Sequence, residues 1–308
     1  MKIKTLSASA VAILLVCALN IQCSGTNTKT LDTQSATEVV ENDHAAPEPG
    51  STQAGENLNG NDPTVKEASQ PATLPSVEID GIQRLLAAYP QKIREIKDNT
   101  IYFSDGTTMV YDDGKKKDFV TLLDYSDPQD MFFEAYDTNA KTPEYLHDVG
   151  RSRSEQLFKK LYGSSAAEVR KQLVSVPWFE GSVQFSSSNN AADQLKKVKA
   201  DLDELVKNNP NLKSYLKSSG TFYWRNVRGA NRLSAHSYGM AIDIGVDKSD
   251  YWLWKNPKAS ETAKISYNNR IPMEIVEVFE KHGFVWGGRW YHYDTMHFEY
   301  RPELNPPR

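Results

Sequence analysis

The 308-residue chain has two cysteines, Cys17 and Cys23, and none after residue 23. That excludes a disulfide framework for everything that follows, and it excludes thiolate metal ligands there too. Any metal site must be built from histidine and carboxylate. An excess of positive charge is also lacking: the net charge is −4 and the pI is near 5.9. With no basic patch interleaved with aromatics, these values argue against nucleic-acid binding. The chain has no evident internal repeat. Its long apolar run, residues 6–21, is too short and too poorly flanked for a stable membrane span.

That run has a basic start, Met1-Lys2-Ile3-Lys4, and is followed by small and polar residues with Cys23 just behind it. The arrangement resembles a bacterial lipoprotein signal, in which the Cys becomes the lipidated first residue. It departs from that pattern at Asn20-Ile21-Gln22-Cys23, which lacks a small residue directly before the Cys. The resemblance implies a signal peptide over residues 1–22 and lipidation at Cys23. The protein would then be an exported lipoprotein, anchored to a membrane through its lipid alone and facing the periplasm or cell wall. A plain secretory signal is the alternative. Residues 24–75 hold few aliphatics and no aromatics. Such a composition cannot bury enough apolar surface to offset its ordering entropy. A tether is expected over residues 23–76, with a coil reach of ~40 Å.

About 230 residues remain, which suffice for one sizeable core or two small ones. Ile82, Leu85, Leu86 and Tyr89 recur at helical spacing. Residues 100–111 read as two strands around an Asp105-Gly106 hairpin turn. Residues 77–144, which contain this hairpin, are expected to pack on the rest, because one hairpin alone is not stable. Helices are expected over residues 152–174, 191–205 and 272–279, and strands over 221–224, 241–246 and 290–300. The mixture predicts an α+β fold, with a small antiparallel sheet flanked by helices.

The chemistry concentrates near the C-terminus. The run Ser234-Ala-His236-Ser-Tyr-Gly239-Met-Ala241-Ile-Asp243 is answered by Asp294-Thr-Met-His297. A catalytic zinc needs three N or O ligands and one open position. His236, Asp243 and His297 would supply the ligands, and Asp294 would act on the water. The spacing of His236 and Asp243 is not the i, i+4 spacing of helical zinc peptidases. Asp243 is expected on a strand and His236 on the loop entering it. Gly239 would allow the tight turn between them, and Ala241 would keep bulk away from the metal. Asp294 and His297 would lie on opposite faces of a plain strand, so both can face one metal only across a bend near Thr295. Ser234 reads equally as a turn cap. His292 is expected on the surface or behind the ligands, and His282 at a helix C-terminus before Gly283.

The paired motifs Ser-x-His-x-x-Gly-x-Ala-x-Asp and Asp-x-x-His resemble the zinc D-alanyl-D-alanine carboxypeptidases and L-alanyl-D-glutamate endopeptidases of peptidoglycan. That family is related to lysostaphin-type peptidases and hedgehog domains. The block Phe284-Val-Trp-Gly-Gly-Arg-Trp290 resembles the endopeptidase-like branch, except that Arg289 stands where several relatives carry an acidic residue. The resemblance covers roughly residues 145–308, which it makes a zinc peptidase domain with one Zn2+ per chain. It implies that His236, Asp243 and His297 bind the metal and that Asp294 is the general base. Arg225 would stabilise the oxyanion, with Arg228 and Arg232 as competitors. Ser234 and Trp290 would contact substrate, and Trp286 and Tyr293 read as cleft walls or core aromatics. The implied partner is a peptidoglycan stem peptide, and the expected state is a monomer. The activity expected first is D-alanyl-D-alanine carboxypeptidase. The alternatives are L-alanyl-D-glutamate endopeptidase and a non-catalytic, zinc-containing wall-binding lipoprotein.

Overall fold

The computed structural model describes residues 80–308. The expected signal, the Cys23 lipidation site and the whole of the expected tether lie outside the described residues. Asp80 caps the first helix, α1 (Gly81–Ala88), by accepting a 3.0 Å hydrogen bond from the Gln83 N–H. A three-stranded antiparallel sheet follows, β1 (Ile93–Lys97), β2 (Thr100–Phe103) and β3 (Thr108–Val110). Asp98 and Asn99, at φ of 49° and 59°, make the tight first turn. This is the two-residue hairpin geometry that, after glycine, Asn and Asp tolerate best. The second turn carries the expected Asp105-Gly106 pair. Helix α2 (Phe119–Asp124) is capped by Asp118.

The helix expected over residues 152–174 is three elements: α3 (Glu155–Tyr162), α4 (Ala166–Arg170) and the strand β4 (Leu173–Trp178). Gly163, at φ +130°, ends α3, and a Cβ there would lie 3.1 Å from Val169. Strand β4 pairs along its length with β5 (Gly181–Ser186). Helix α5 (Ala191–Asn208) follows.

The sheet that matters for function has the order β6 (Ser218–Gly220), β7 (Ala241–Ile244), β9 (His297–Tyr300), β8 (Phe284–Trp286), all antiparallel. The chain reaches it through α6 (Trp252–Lys255) and α7 (Met273–Lys281). Period-two alternation divides this sheet. Ile242, Ile244, Phe284, Trp286, Phe298 and Tyr300 pack with α5 and α7 in one apolar core. Phe279 and Phe298 stack there with ring centroids 4.1 Å apart. Asp243, His297 and Glu299 alternate with those residues and so project to the opposite side, where Ala241 and Val285 join a second apolar core. That core also takes Leu85, Ile101, Leu157 and Tyr238, so the N-terminal hairpin region and the C-terminal sheet share it.

Two expected strands are displaced. Residues 221–224 are irregular because their backbone serves the His236 turn: the Thr221 carbonyl accepts from His236 Nδ1 at 2.7 Å, and the Tyr223 N–H donates to the His236 carbonyl at 3.3 Å. Of residues 290–300, only the last four are strand, because the Asp294 N–H is taken by Gly287 and the Thr295 N–H by Asp250. Among the described residues no helix is long and apolar enough to cross a membrane.

Candidate metal centre

Residue pairing brings two of the sequence-predicted ligands together directly. Asp243 on β7 and His297 on β9 are register partners. His236 arrives from the turn Ala235–Tyr238, which Ser234 caps by accepting the His236 N–H at 3.4 Å. Gly239 closes that turn at φ +64°, and a Cβ there would meet Leu173 at 2.6 Å. His236 Nε2 lies 3.2 Å from Asp243 Oδ1, and His297 Nδ1 lies 2.9 Å from the same oxygen. The three donor atoms lie within 4.8 Å of one another. Ligands on a tetrahedral zinc at about 2.0–2.1 Å are separated by a little over 3 Å, so this spacing fits one metal ion.

The outer nitrogens strengthen the fit. His236 Nδ1 donates to the Thr221 carbonyl, and His297 Nε2 faces Glu299 Oε2 at 3.1 Å. Each ring therefore turns its other nitrogen towards Asp243, the orientation that outer hydrogen bonds impose on metal-ligating histidines. Glu299 is fully buried, held by Arg153 at 3.3 Å and by Arg301 at 2.7 Å. Burial would raise its pKa, but the two guanidiniums and His297 hold it well below the usual range. Burial would raise Asp243 as well, and the two imidazoles draw it down. His297 moves up to about 10: burial opposes the charge, but hydrogen bonds to Asp243 and Glu299 outweigh that. A metal ion taking the Nδ1 lone pair must displace that proton.

Asp294 reaches the centre by the bend that the sequence requires. The His297 N–H donates to the Asp294 carbonyl at 3.2 Å, closing a turn over Thr295 and Met296. Its Oδ1 is buried and has no hydrogen-bond partner among the described residues. Burial first, and the Asp243 charge second, push its pKa up to about 7. A carboxyl poised there suits a proton-transfer role near neutral pH.

A cavity of about 530 Å³ adjoins these groups, lined by His236, Asp243, Asp294 and His297. Its walls also carry Arg151, Arg153, Arg225, Arg228 and Arg232. A larger trough, about 730 Å³, runs between the β4–β5 hairpin and β6, away from every one of these groups. The chemistry therefore belongs to the smaller cavity.

The remaining site residues sort by position. Arg225 is exposed at the cavity, with its guanidinium on the neighbouring Asn226 carbonyl. Arg232 is buried and paired with Asp124. Trp290 lines the cavity, its ring 5.6 Å from His297 and its indole N–H on the Val149 carbonyl at 2.5 Å. Trp286 and Tyr293 are buried and do not line it. Arg289 points elsewhere, forking onto Glu280 at 2.9 and 3.0 Å, so the departure at that position lies away from the cavity. His282 binds Asp201 at 2.8 Å at the end of α7. Sequence reading missed Glu299, although its place two residues after His297 on a strand puts both on one face. It also missed Asp148, Arg151 and Arg153, which lie too far along the chain to leave a local signal.

Residues 228–300 match the D-alanyl-D-alanine carboxypeptidase family. This part of the chain is similar to that family. The matched segment contains all three candidate ligands and Asp294, and it spans β7 to β9. Members of the family are zinc-dependent peptidases with peptidoglycan-derived substrates. No curated protein and no solved structure matches the chain significantly.

Proposed function

We propose that this protein is a zinc D-alanyl-D-alanine carboxypeptidase that trims peptidoglycan stem peptides. The reading rests on one observation: Asp294, with an unpaired buried carboxyl oxygen, shares a cavity with the His236, Asp243 and His297 donors. A zinc ion held by these three residues supplies Lewis-acid polarisation of a peptide carbonyl and acidifies water. Asp294 takes the proton from the attacking water and passes it to the departing amine. Arg225, whose guanidinium has no carboxylate partner among the described residues, offsets charge developing on the carbonyl oxygen. The arginine-rich wall favours a substrate with a carboxylate near the scissile bond, as a terminal D-alanine has. Trp290 backs His297, while Ser234 shapes the His236 turn.

Export and anchoring through Cys23 belong to the same proposal and rest on the N-terminal sequence alone. The mass of the mature N-terminal peptide, with or without acyl chains on Cys23, decides that part.

The experiment for the activity is digestion of muropeptides by the purified zinc-loaded protein, read by mass spectrometry. Loss of one terminal D-alanine is the expected result. Cleavage after L-alanine instead makes it an endopeptidase. Intact muropeptides despite one bound zinc overturn the enzymatic reading in favour of a wall-binding protein.

A further inference from the structure

The family match begins at residue 228, yet part of the cavity wall comes from much earlier in the chain. Residues 147–153 form a loop that turns at Gly150, where φ is +102°, and it delivers Arg151 and Arg153 to the cavity. The same loop carries Asp148, whose side chain is fully buried. Asp148 grips His292, a cavity-lining residue that the chemistry above leaves unused. The His292 backbone N–H donates to Asp148 Oδ1 at 3.0 Å, and its Nδ1 lies 2.5 Å from Asp148 Oδ2. Arg151 donates to Asp148 at 3.0 Å and forks onto Glu261 at 2.8 and 2.9 Å. Burial alone would push the Asp148 carboxyl up, but Arg151 and His292 more than reverse that.

An ionised carboxylate only accepts hydrogen bonds, so His292 Nδ1 is the protonated nitrogen and a neutral ring presents a lone pair at Nε2. Nε2 is buried and has no partner among the described residues. A purely structural imidazole satisfies both nitrogens, because an unpaired buried acceptor is costly. The same cavity holds further unpaired polar atoms: Asp294 Oδ1, Arg153 Nε and Arg232 Nε. Unpaired acceptors and unpaired donors around one cavity match a peptide backbone, which offers N–H and C=O groups in alternation. Trp252 stands edge-on to His292 with centroids 4.5 Å apart, on the four-residue helix α6, which has no side-chain cap.

We infer that His292 is a substrate-binding residue whose Nε2 accepts a hydrogen bond from a backbone N–H of the peptide substrate. Asp148, anchored by Arg151, is the positioning residue that keeps Nε2 the acceptor. The inference rests on the proposed peptidase reading only for the identity of the ligand.

The test uses the metal-free protein labelled with 15N, a synthetic stem pentapeptide ending in D-Ala-D-Ala, and multiple-bond 1H–15N spectra of the imidazoles. Nε2 of His292 is expected to resonate as an unprotonated nitrogen and to move upfield as peptide is added. A resonance that stays in place, or a peptide that does not bind, overturns the proposal. In zinc-loaded protein, His292→Ala is expected to raise KM about tenfold with a smaller change in kcat and no change in zinc content. Asp148→Asn is expected to move the ring 15N signals towards tautomer averaging and to raise KM as well. An unchanged KM in His292→Ala also overturns the proposal. Cleavage of the pentapeptide by zinc-loaded wild type, with a stationary Nε2 resonance, removes this proposal and leaves the peptidase reading intact. Movement of Nε2 without cleavage removes the peptidase reading alone.

Discussion

Among the described residues two groups of three side chains come close enough to share a cation, and their surroundings separate them. One is His236, Asp243 and His297; the other is Asp112, Asp113 and Asp127. In the acidic group the Lys117 ammonium already sits among the carboxylates, 2.9 Å from Asp113, 3.2 Å from Asp127 and 2.6 Å from Asp130. Backbone N–H groups of Gly114 and Lys115 occupy further carboxylate lone pairs. In the histidine group the outer contacts go to Thr221 and Glu299, and among the described residues no lysine or arginine sits between the inner donors. Proximity of ligating atoms is therefore a poor criterion by itself. What counts is whether lone pairs remain after the outer contacts are made.

The sharpest break of this comparison is His236→Ala beside Asp113→Ala. The first is expected to lower bound zinc from one per chain to none and abolish peptide cleavage, and the second to change neither. Zinc retained by His236→Ala, measured by elemental analysis, would refute the ligand assignment. Asp294→Ala should keep its zinc while turnover falls by about 10²–10⁴-fold, the usual worth of a general base. Loss of metal in that variant would make Asp294 a ligand instead. Glu299→Gln keeps the shape of the contact to His297 but removes its charge. Zinc affinity should weaken by about 10–100-fold, less than the loss of a ligand, as a competition titration with a chelating dye would show. Lys117→Met leaves exposed Asp113, half-buried Asp127 and buried Asp130 facing one another without their shared cation. We expect a lower midpoint in denaturant unfolding, with zinc binding untouched.

The smallest effect is on pH dependence without metal. Asp294 rises from 3.8 to about 7, so the fold favours its neutral form and loses stability as pH climbs through that window. His297 rises from 6.5 to about 10, and the stability its charge contributes is complete below 6.5 and lost towards 10. Asp243 and Glu299 are depressed, so they act oppositely and lose their contribution as pH falls below the ordinary carboxylate range. Melting temperature in chelator should therefore be highest between these limits, near pH 4–5, and decline upwards. Asp294→Asn should flatten the decline between about 4 and 7; an unchanged slope in that variant would contradict a buried neutral carboxyl.

Much of the site was legible because its chemistry is local. Ser234, His236, Gly239 and Asp243 lie within ten residues, and the need for a bend at Thr295 follows from strand periodicity alone. The strands around them were less so. Phe222, Tyr223 and Trp224 have strong strand propensity, yet their backbone groups are drawn to the His236 turn, and the strand forms three residues earlier. The pattern of residues 152–174 looked continuous because Leu157, Leu161, Val169 and Leu173 do face inward in part; Gly163 and the pairing with β5 divide it.

By itself the sequence determined the donor types open to a metal, since no cysteine follows residue 23, and it determined the α+β class and the positions of the candidate ligands and of Asp294. Tertiary structure alone decided that Asp243 and His297 face each other across a strand pair, that Glu299 and two arginines orient His297, and that Asp148 reaches His292 from 144 residues away. The physical reason is range: residue type and periodicity act over a few positions, whereas hydrogen bonds and burial act wherever folding brings the groups within about 3 Å.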